Sequence, residues 1–288
     1  CFNPALSASL RSTVSKAELA AAVALSILAF NVARSVGPAL GGGIVALGGA
    51  SAAFTVNAMS YLLVIVVLWR WRGEPQGTSA RPRTGFWATI GDGLCIAWAV
   101  PEIRTILLRA VTFTCTGAAA WALMPLVASD LLGEGSATFG ILLGALGLGA
   151  VIGAATSTWF RNRFKAETLV RMAAVIYGLS CIGVALQLGL FAMTFLLVVA
   201  GAGWVQALSG FSVAGQLWAP LEAVGRVVAM VSSLTFGGIA LGSWFWGHVA
   251  ESQGVAVALM ISGGAMLFVP LIGLVCPMPD QQKSQAAS

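Results

Sequence analysis

Apolar residues along the chain form long uninterrupted runs, which are separated by short polar or glycine-rich connections. A helix needs roughly 20 apolar residues to cross the hydrocarbon core of a bilayer, which is about 30 Å thick. The runs are too long and too continuous for the alternating strands of a membrane barrel, which have about ten residues each. We therefore predict an all-α, polytopic transmembrane helical bundle with eight spans, approximately at residues 19–47, 52–69, 103–127, 138–160, 169–188, 192–218, 227–249 and 255–276.

The composition excludes a water-soluble protein. Of the 288 residues, 58% are hydrophobic and 9% are charged, whereas about 25% of an ordinary soluble domain is charged. The five cysteines are isolated, and the single histidine is His248. These residues support neither a disulfide framework nor a zinc site, and they cannot build a relay of histidines. We predict no cofactor and no metal. We also predict no enzymatic activity, because a membrane-embedded enzyme needs polar catalytic groups clustered at one depth.

Basic residues occupy every second connection between the predicted spans, and the connections between them contain none. Lysine and arginine are retained in the cytoplasm, so the pattern places both the first and the last residue inside an inner (cell) membrane. The net charge of +5 therefore reflects the basic connections on one side of the membrane and does not indicate nucleic-acid binding. The basic residues on or beside these connections are Arg11, Lys16, Arg70, Arg72, Arg81, Arg83, Arg161, Arg163, Lys165, Arg171, Arg226 and Lys283.

One long polar stretch divides the chain. Residues 71–84 include Pro75 and Pro82 and are typical of a linker. Residues 85–101 predict either an amphipathic helix at the membrane interface or a short buried connector. The predicted organisation is two spans in residues 1–70, a cytoplasmic linker over 71–102, six spans in 103–277 and a cytoplasmic tail over 278–288.

The first span carries polar and small residues on one helical face. Asn31, Arg34, Pro38 and Gly41 follow helical spacing. An arginine inside a membrane helix usually faces a cavity or a partner, although a structural pairing with a neighbouring helix explains it equally well. Arg34 is the one arginine that we predict to lie deep, since Arg104 and Arg109 fall near the inner end of the third span.

Glycines recur in the fourth and the seventh span. Gly147 and Gly149 lie in an apolar run with no strand before it, so they do not indicate a dinucleotide site. Close helix packing explains such residues better. The same holds for the glycines of the seventh span, which are Gly237, Gly238, Gly242 and Gly247.

The stretch NVARSVGPALGG at residues 31–42, followed by AFTVNAMS at 53–60, resembles the fifth and sixth helices of major facilitator superfamily exporters. The most similar branch contains bacterial siderophore (enterobactin-type) exporters and macrolide or multidrug efflux pumps. Supporting residues are Leu131, Leu132 and Gly133, the pair Gly225 and Arg226, and the segment at 236–243. The resemblance implies twelve helices in two six-helix halves, of which this chain would hold helices five to twelve and lack the first four.

The resemblance assigns roles to several residues by position. Gly37, Pro38, Gly41 and Gly42 match the end of the antiporter signature on helix five. In the family this helix packs against helix eight, so the resemblance implies a glycine-rich partner face made by Gly140, Gly144, Gly149 and Gly153. Arg161 and Arg163 resemble a degenerate form of the basic loop between helices eight and nine, without its usual aspartate.

These observations predict a secondary transporter that works by alternating access. The resemblance implies that it exports small organic molecules of drug, macrolide or siderophore type and that export is coupled to protons. The residues that we predict to line the substrate pathway are Asn31, Arg34, Trp121, Met124, Trp204 and Gln206. For each of them the alternative is ordinary helix packing. Glu102, Asp130 and Glu251 lie at or beyond span ends, so a coupling carboxylate is expected in the absent half. Two alternatives stay open: a truncated helix bundle without transport activity, and the permease subunit of another transport system.

Overall fold

A computed structural model describes residues 54–66, 98–132, 136–219 and 223–279, together with positions 44, 48, 51, 52, 69 and 70. The first predicted span, except Ile44, and nearly all of the linker lie outside the described residues. So do six of the predicted functional residues, namely Asn31, Arg34, Gly37, Pro38, Gly41 and Gly42.

The described part of the chain is helical and contains no strand. Six of its helices are long and apolar enough to cross a membrane, and these confirm the third to the eighth predicted span. The second predicted span is represented by a shorter apolar helix. In chain order the helices are α1 (Phe54–Val66), α2 (Pro101–Ala122), α3 (Ser136–Arg163), α4 (Ala166–Ala185), α5 (Leu190–Trp218), α6 (Val224–Gln253) and α7 (Val255–Val275).

The span that begins with α2 is longer than its apolar pattern predicts. Pro101 starts the helix, at a position where a missing N–H costs nothing. The regular α-helix ends at Ala122, just before Pro125, because a proline inside a helix removes one backbone hydrogen bond and crowds the preceding turn. The chain continues through a short α-helical turn into a π-helical turn at Val127–Leu131. The predicted end at residue 127 was therefore too early.

Two glycines make the sharp turns on the side opposite the basic connections. Gly189 precedes α5 with φ of 89°, and Gly254 joins α6 to α7 with φ of 91°. Residues with a side chain rarely adopt this left-handed backbone conformation, whereas glycine adopts it readily. Both connections are therefore short, and they hold the helices that they join in antiparallel contact.

The six long helices pack in distinct pairs. α3 lies against α5, α2 lies against α6, and α4 packs against both α5 and α7. Two buried clusters fill the space between them, one around Trp204 and Phe113 and the other around Met124 and Leu146. Large apolar side chains also cover the outside of the bundle, as expected for a protein surrounded by lipid.

Candidate functional site

The centre of the bundle is an aromatic cluster around Trp204. Its ring centroid lies 5.3 Å from that of Tyr177 and 5.4 Å from that of Phe113, and Phe211 packs on Phe113 at 5.9 Å. The Tyr177 hydroxyl donates a hydrogen bond of 2.7 Å to the carbonyl oxygen of Gly117 on α2. Trp204 is 1% exposed. In this conformation it packs the core and faces no open cavity.

Trp121 is the predicted pathway residue that reaches from this cluster toward the surface. It is half-buried, and its ring centroid lies 6.4 Å from that of Trp204. The indole N–H of Trp121 is enclosed and has no acceptor among the described residues. Met124, one turn further along the span, is fully buried in the second cluster. Among the predicted pathway residues that the structure describes, Trp121 is thus the one whose enclosed indole N–H lacks a hydrogen-bond acceptor.

Gln206 connects α5 to α3. Its side-chain amide donates to the carbonyl oxygen of Gly153 at 3.1 Å and to the hydroxyl of Thr156 at 3.3 Å. Polar side chains between membrane helices commonly bond across the helix interface in this way. The two N–H groups of the amide are therefore both engaged within the protein.

The glycines of α3 lie on two faces and not on one, which corrects the prediction of a single glycine-rich face. A Cβ atom on Gly149 or Gly153 would overlap the backbone of α5 at Val198 or Ala202. Gly140 precedes Gly149 by two and a half turns, so it lies on about the opposite side of the helix. Gly149 and Gly153 thus pack within this bundle. The predicted partner of Gly140 and Gly144, the first span, lies outside the described residues.

The contact between α2 and α6 also depends on glycines, which have no side chain. A Cβ atom on Gly242 would overlap the carbonyl oxygen of Cys115, and one on Gly238 would overlap the hydroxyl oxygen of Thr114. The indole N–H of Trp246 donates to the same Cys115 carbonyl oxygen at 3.0 Å. The helices therefore meet backbone to backbone, and this hydrogen bond fixes their register.

A buried ion cluster joins α2, α4 and the segment after α7. Arg109 is 1% exposed. Its Nη1 donates to Glu167 Oε1 at 3.3 Å and to the carbonyl oxygen of Cys276 at 3.2 Å. Arg171 Nε donates to the same Glu167 oxygen at 2.5 Å, and Oε2 of Glu167 accepts from the backbone N–H of Met278 at 2.7 Å. One carboxylate thus holds three parts of the chain together.

The apolar pattern did not indicate this cluster. Arg109, predicted near the inner end of the third span, lies in the N-terminal half of α2, but it is enclosed by protein, and its Nε and Nη2 atoms have no hydrogen-bond partner among the described residues. The prediction that Arg34 lies deep stays a prediction, because Arg34 lies outside the described residues. The search for carboxylates also passed over Glu167, although Glu167 and Arg171 have the spacing of a helical ion pair, which was a usable signal. Gly273 leaves room for the cluster, since a Cβ atom there would overlap both Glu167 and Arg109.

The two arginines of the predicted basic loop have different surroundings. Arg161 donates from Nη1 to the hydroxyl of Ser209 on α5 at 2.7 Å and thereby anchors the end of α3. Arg163 is exposed, as is the neighbouring Lys165, and neither has an ion-pair partner within the described residues. The structure does not bring the loop and the aromatic cluster together.

Comparisons with known proteins agree with a membrane transporter. The family model for transmembrane secretion effectors matches residues 1–288. An uncharacterized MFS-type transporter of Bacillus subtilis, YfiS, is 28% identical over 287 residues, which are 95% of this chain and 67% of that protein. Among solved structures, a bacterial homologue of the human lysosomal transporter Spinster aligns with a TM-score of 0.57 at 15% identity, over 98% of this chain and 74% of that chain. This last likeness supports the fold alone.

Proposed function

Because the chain belongs to the major facilitator superfamily, in the family of transmembrane secretion effectors, we propose that it is a secondary active transporter that exports small organic molecules across the cytoplasmic membrane. We assign residues 103–277 to the C-terminal six-helix half and residues 1–70 to the end of the other half. The basic connections, including Arg161 and Arg163, then face the cytoplasm together with both ends of the chain.

The observation that carries this proposal is the close backbone packing of the six-helix bundle. Alternating access moves one half of a transporter against the other as a nearly rigid body. The backbone contacts of Gly149 with α5 and of Gly242 with α2 leave no space for sliding. The cluster around Glu167 ties α2, α4 and the end of α7 at one end of the bundle. Such a bundle suits a body that rocks without changing its own packing.

The substrate class follows from the residues around Trp121. Indole and thioether side chains suit bulky, partly apolar ligands of varied shape, and the free indole N–H adds one hydrogen-bond donor. We propose that Trp121 contacts substrate, whereas Trp204 and Met124 are buried beside Trp121 and position its ring. Gln206 supports α3, and Asn31 and Arg34 stay predictions for the part of the pathway outside the described residues. The substrates are then drug, macrolide or siderophore-like molecules.

Proton coupling is part of the proposal, and its carboxylate is not among the groups described so far. Glu167 is 18% exposed, and two arginines neutralise it. An acid that is permanently paired in this way is a poor carrier of a transported proton. We therefore expect the coupling acid outside the described residues.

The proposal is tested by transport into proteoliposomes that contain the purified full-length protein. A macrolide, a catecholate siderophore and an amphiphilic cationic dye are supplied, each with and without an imposed pH gradient. We expect uptake of at least one compound that follows the gradient and stops when an uncoupler is added. Uptake that requires ATP instead would indicate a permease subunit, and no uptake of any compound would indicate a bundle without transport activity.

The substitution Trp121→Phe tests the assigned contact. It keeps a ring in place but removes the free N–H, so we expect transport of acceptor-bearing substrates to fall about two- to tenfold, the value of one hydrogen bond. Transport of a substrate without acceptors should not change. Trp218→Phe is the matched control, because the Trp218 indole N–H is likewise enclosed and without an acceptor among the described residues. Equal effects of the two substitutions, or no effect of either, would contradict the assignment.

A further inference from the structure

A groove of about 360 Å³ runs along the bundle between α3 and α4, and α5 forms its floor. It exists because α3 and α4 both pack on α5 but hardly contact each other. Its lining is almost entirely apolar and includes Ile152, Phe160, Met172 and Val199. A volume of this size is in the range of sites that hold a small ligand, about 300–1,000 Å³.

The groove opens onto the outer surface of the bundle. Beside it on α3 runs a stripe of large exposed side chains, formed by Ile141, Leu148, Ile152 and Trp159. Their spacing places them on one helical face. This face lies away from α5. The part of α3 that contacts α5 contains Gly149 and Gly153. Exposed apolar side chains in such a stripe are stable in contact with hydrocarbon, so the groove is accessible from the lipid.

The side-chain N–H groups that line the groove are already bonded within the protein. Gln206 lines the floor and Thr156 lines one wall. Both N–H groups of the Gln206 amide are bonded to Thr156 and to the carbonyl oxygen of Gly153. A ligand that needs a hydrogen-bond donor finds none from this amide. The lining therefore suits a hydrocarbon chain better than it suits the amphiphilic substrates proposed above.

The length of the groove corresponds to one leaflet of a bilayer. On α3 it extends from Phe160 to Ile152, which is about 12 Å along a helix. The hydrocarbon core of one leaflet is about 15 Å thick. Phe160 lies close to the end of α3 at Arg163, so the groove begins at the basic end of the bundle and stops near the middle of α3.

Two exposed cations lie in the connection between α3 and α4, close in sequence to Phe160 and Leu169 of the groove. Arg163 ends α3, and Lys165 comes directly before α4. Both are exposed and neither has an acidic partner in the described part of the chain. Free basic residues at a membrane surface attract anionic lipid headgroups. The apolar groove thus matches the acyl chain of a phospholipid, and Arg163 and Lys165 match its anionic headgroup.

We propose that the groove binds one acyl chain of an anionic phospholipid, with Arg163 and Lys165 in contact with its phosphate group. The occupant comes from the leaflet that faces the basic connections. Bound there, the lipid fills the space between α3 and α4 and completes their packing on α5.

The test measures lipid retained by the full-length protein after detergent purification, using native mass spectrometry with phosphatidylglycerol and phosphatidylcholine of identical chains. We expect retention of phosphatidylglycerol. The double substitution Arg163→Gln with Lys165→Gln should weaken that retention by about thirtyfold, as expected for two basic residues at a membrane surface. The control Arg104→Gln removes an exposed charge at the start of α2, away from the groove, and should have no effect.

A second pair of variants tests the acyl chain. Val199→Trp should fill the groove and reduce the retention of both lipids, whereas Val175→Trp, at an exposed position of α4 outside the groove, should not. Thermal unfolding of each variant identifies any that fails to fold. Equal retention of the two lipids, equal retention by the double variant and by Arg104→Gln, or displacement of lipid by a transported compound would overturn the proposal.

Discussion

Replacement of Glu167 by glutamine is expected to lower the free energy of unfolding by about 3–5 kcal/mol, the cost of removing one partner of a buried ion pair. The Arg109 guanidinium is 1% exposed and would keep only neutral acceptors, the carbonyl oxygen of Cys276 and the oxygen of the new amide. The new amide would also direct N–H groups toward Arg109, Arg171 or the N–H of Met278, each of which needs an acceptor. Denaturant unfolding of the purified protein measures the loss.

Removal of the buried charge should restore much of this stability. In the double variant Arg109→Met with Glu167→Gln, no unpaired guanidinium remains inside the bundle, so we expect it to be more stable than Glu167→Gln alone. Glu251→Gln is the matched control, since Glu251 is 82% exposed in its contact with His248 and should change stability by less than about 0.5 kcal/mol. A double variant less stable than the single one would refute this account of the cluster.

The second large effect is expected for Gly242→Ala. A single methyl group at this position would overlap the Cys115 carbonyl oxygen and approach Ala118 Cβ at 2.8 Å. The obstacle is backbone, which cannot turn aside as a flexible side chain can, so α6 must move away from α2. We expect a loss of about 2–3 kcal/mol, typical of overpacked cores, and a weaker hydrogen bond from Trp246.

Gly247→Ala on the same helix is the control for this prediction. A Cβ atom at Gly247 would meet nothing within 4 Å. Because alanine is the better helix former, this variant should be unchanged or stabilised by up to about 1 kcal/mol. Unfolding midpoints and the yield of monodisperse protein measure both variants. Similar behaviour of the two would show that the backbone contact between α2 and α6 does not determine stability.

The six described spans could be predicted because hydrophobic length is sufficient to identify a membrane helix. The glycines of α3 and α6 were also visible as packing positions, but which helix each one touches was not. The sequence places Gly140 and Gly149 in one run, but their spacing of two and a half helical turns already puts them on different faces, so a single glycine face could have been excluded from the sequence.

Other features depend on contacts between residues that are distant in sequence. Trp204 has the residue type of a ligand-binding wall, and its burial against Phe113 and Tyr177 follows from how α2, α4 and α5 pack. Arg109 seemed to be a residue near a span end, and its partners come from another helix and from the segment after α7. The end of the regular α-helix shortly before Pro125, by contrast, is a local effect that the sequence could have indicated.

The wide sequence separation within the ion cluster has a consequence for biosynthesis. Glu167 follows Arg109 by 58 residues and Cys276 follows it by 167. As the chain leaves the ribosome, α2 is therefore inserted long before the groups that neutralise its arginine have been made. The cluster can close only when α7 has been inserted and residues 276–278 have emerged, so the assembly of this half must be completed late in synthesis. Until that moment the insertion machinery, water or lipid headgroups must accommodate the charge of Arg109.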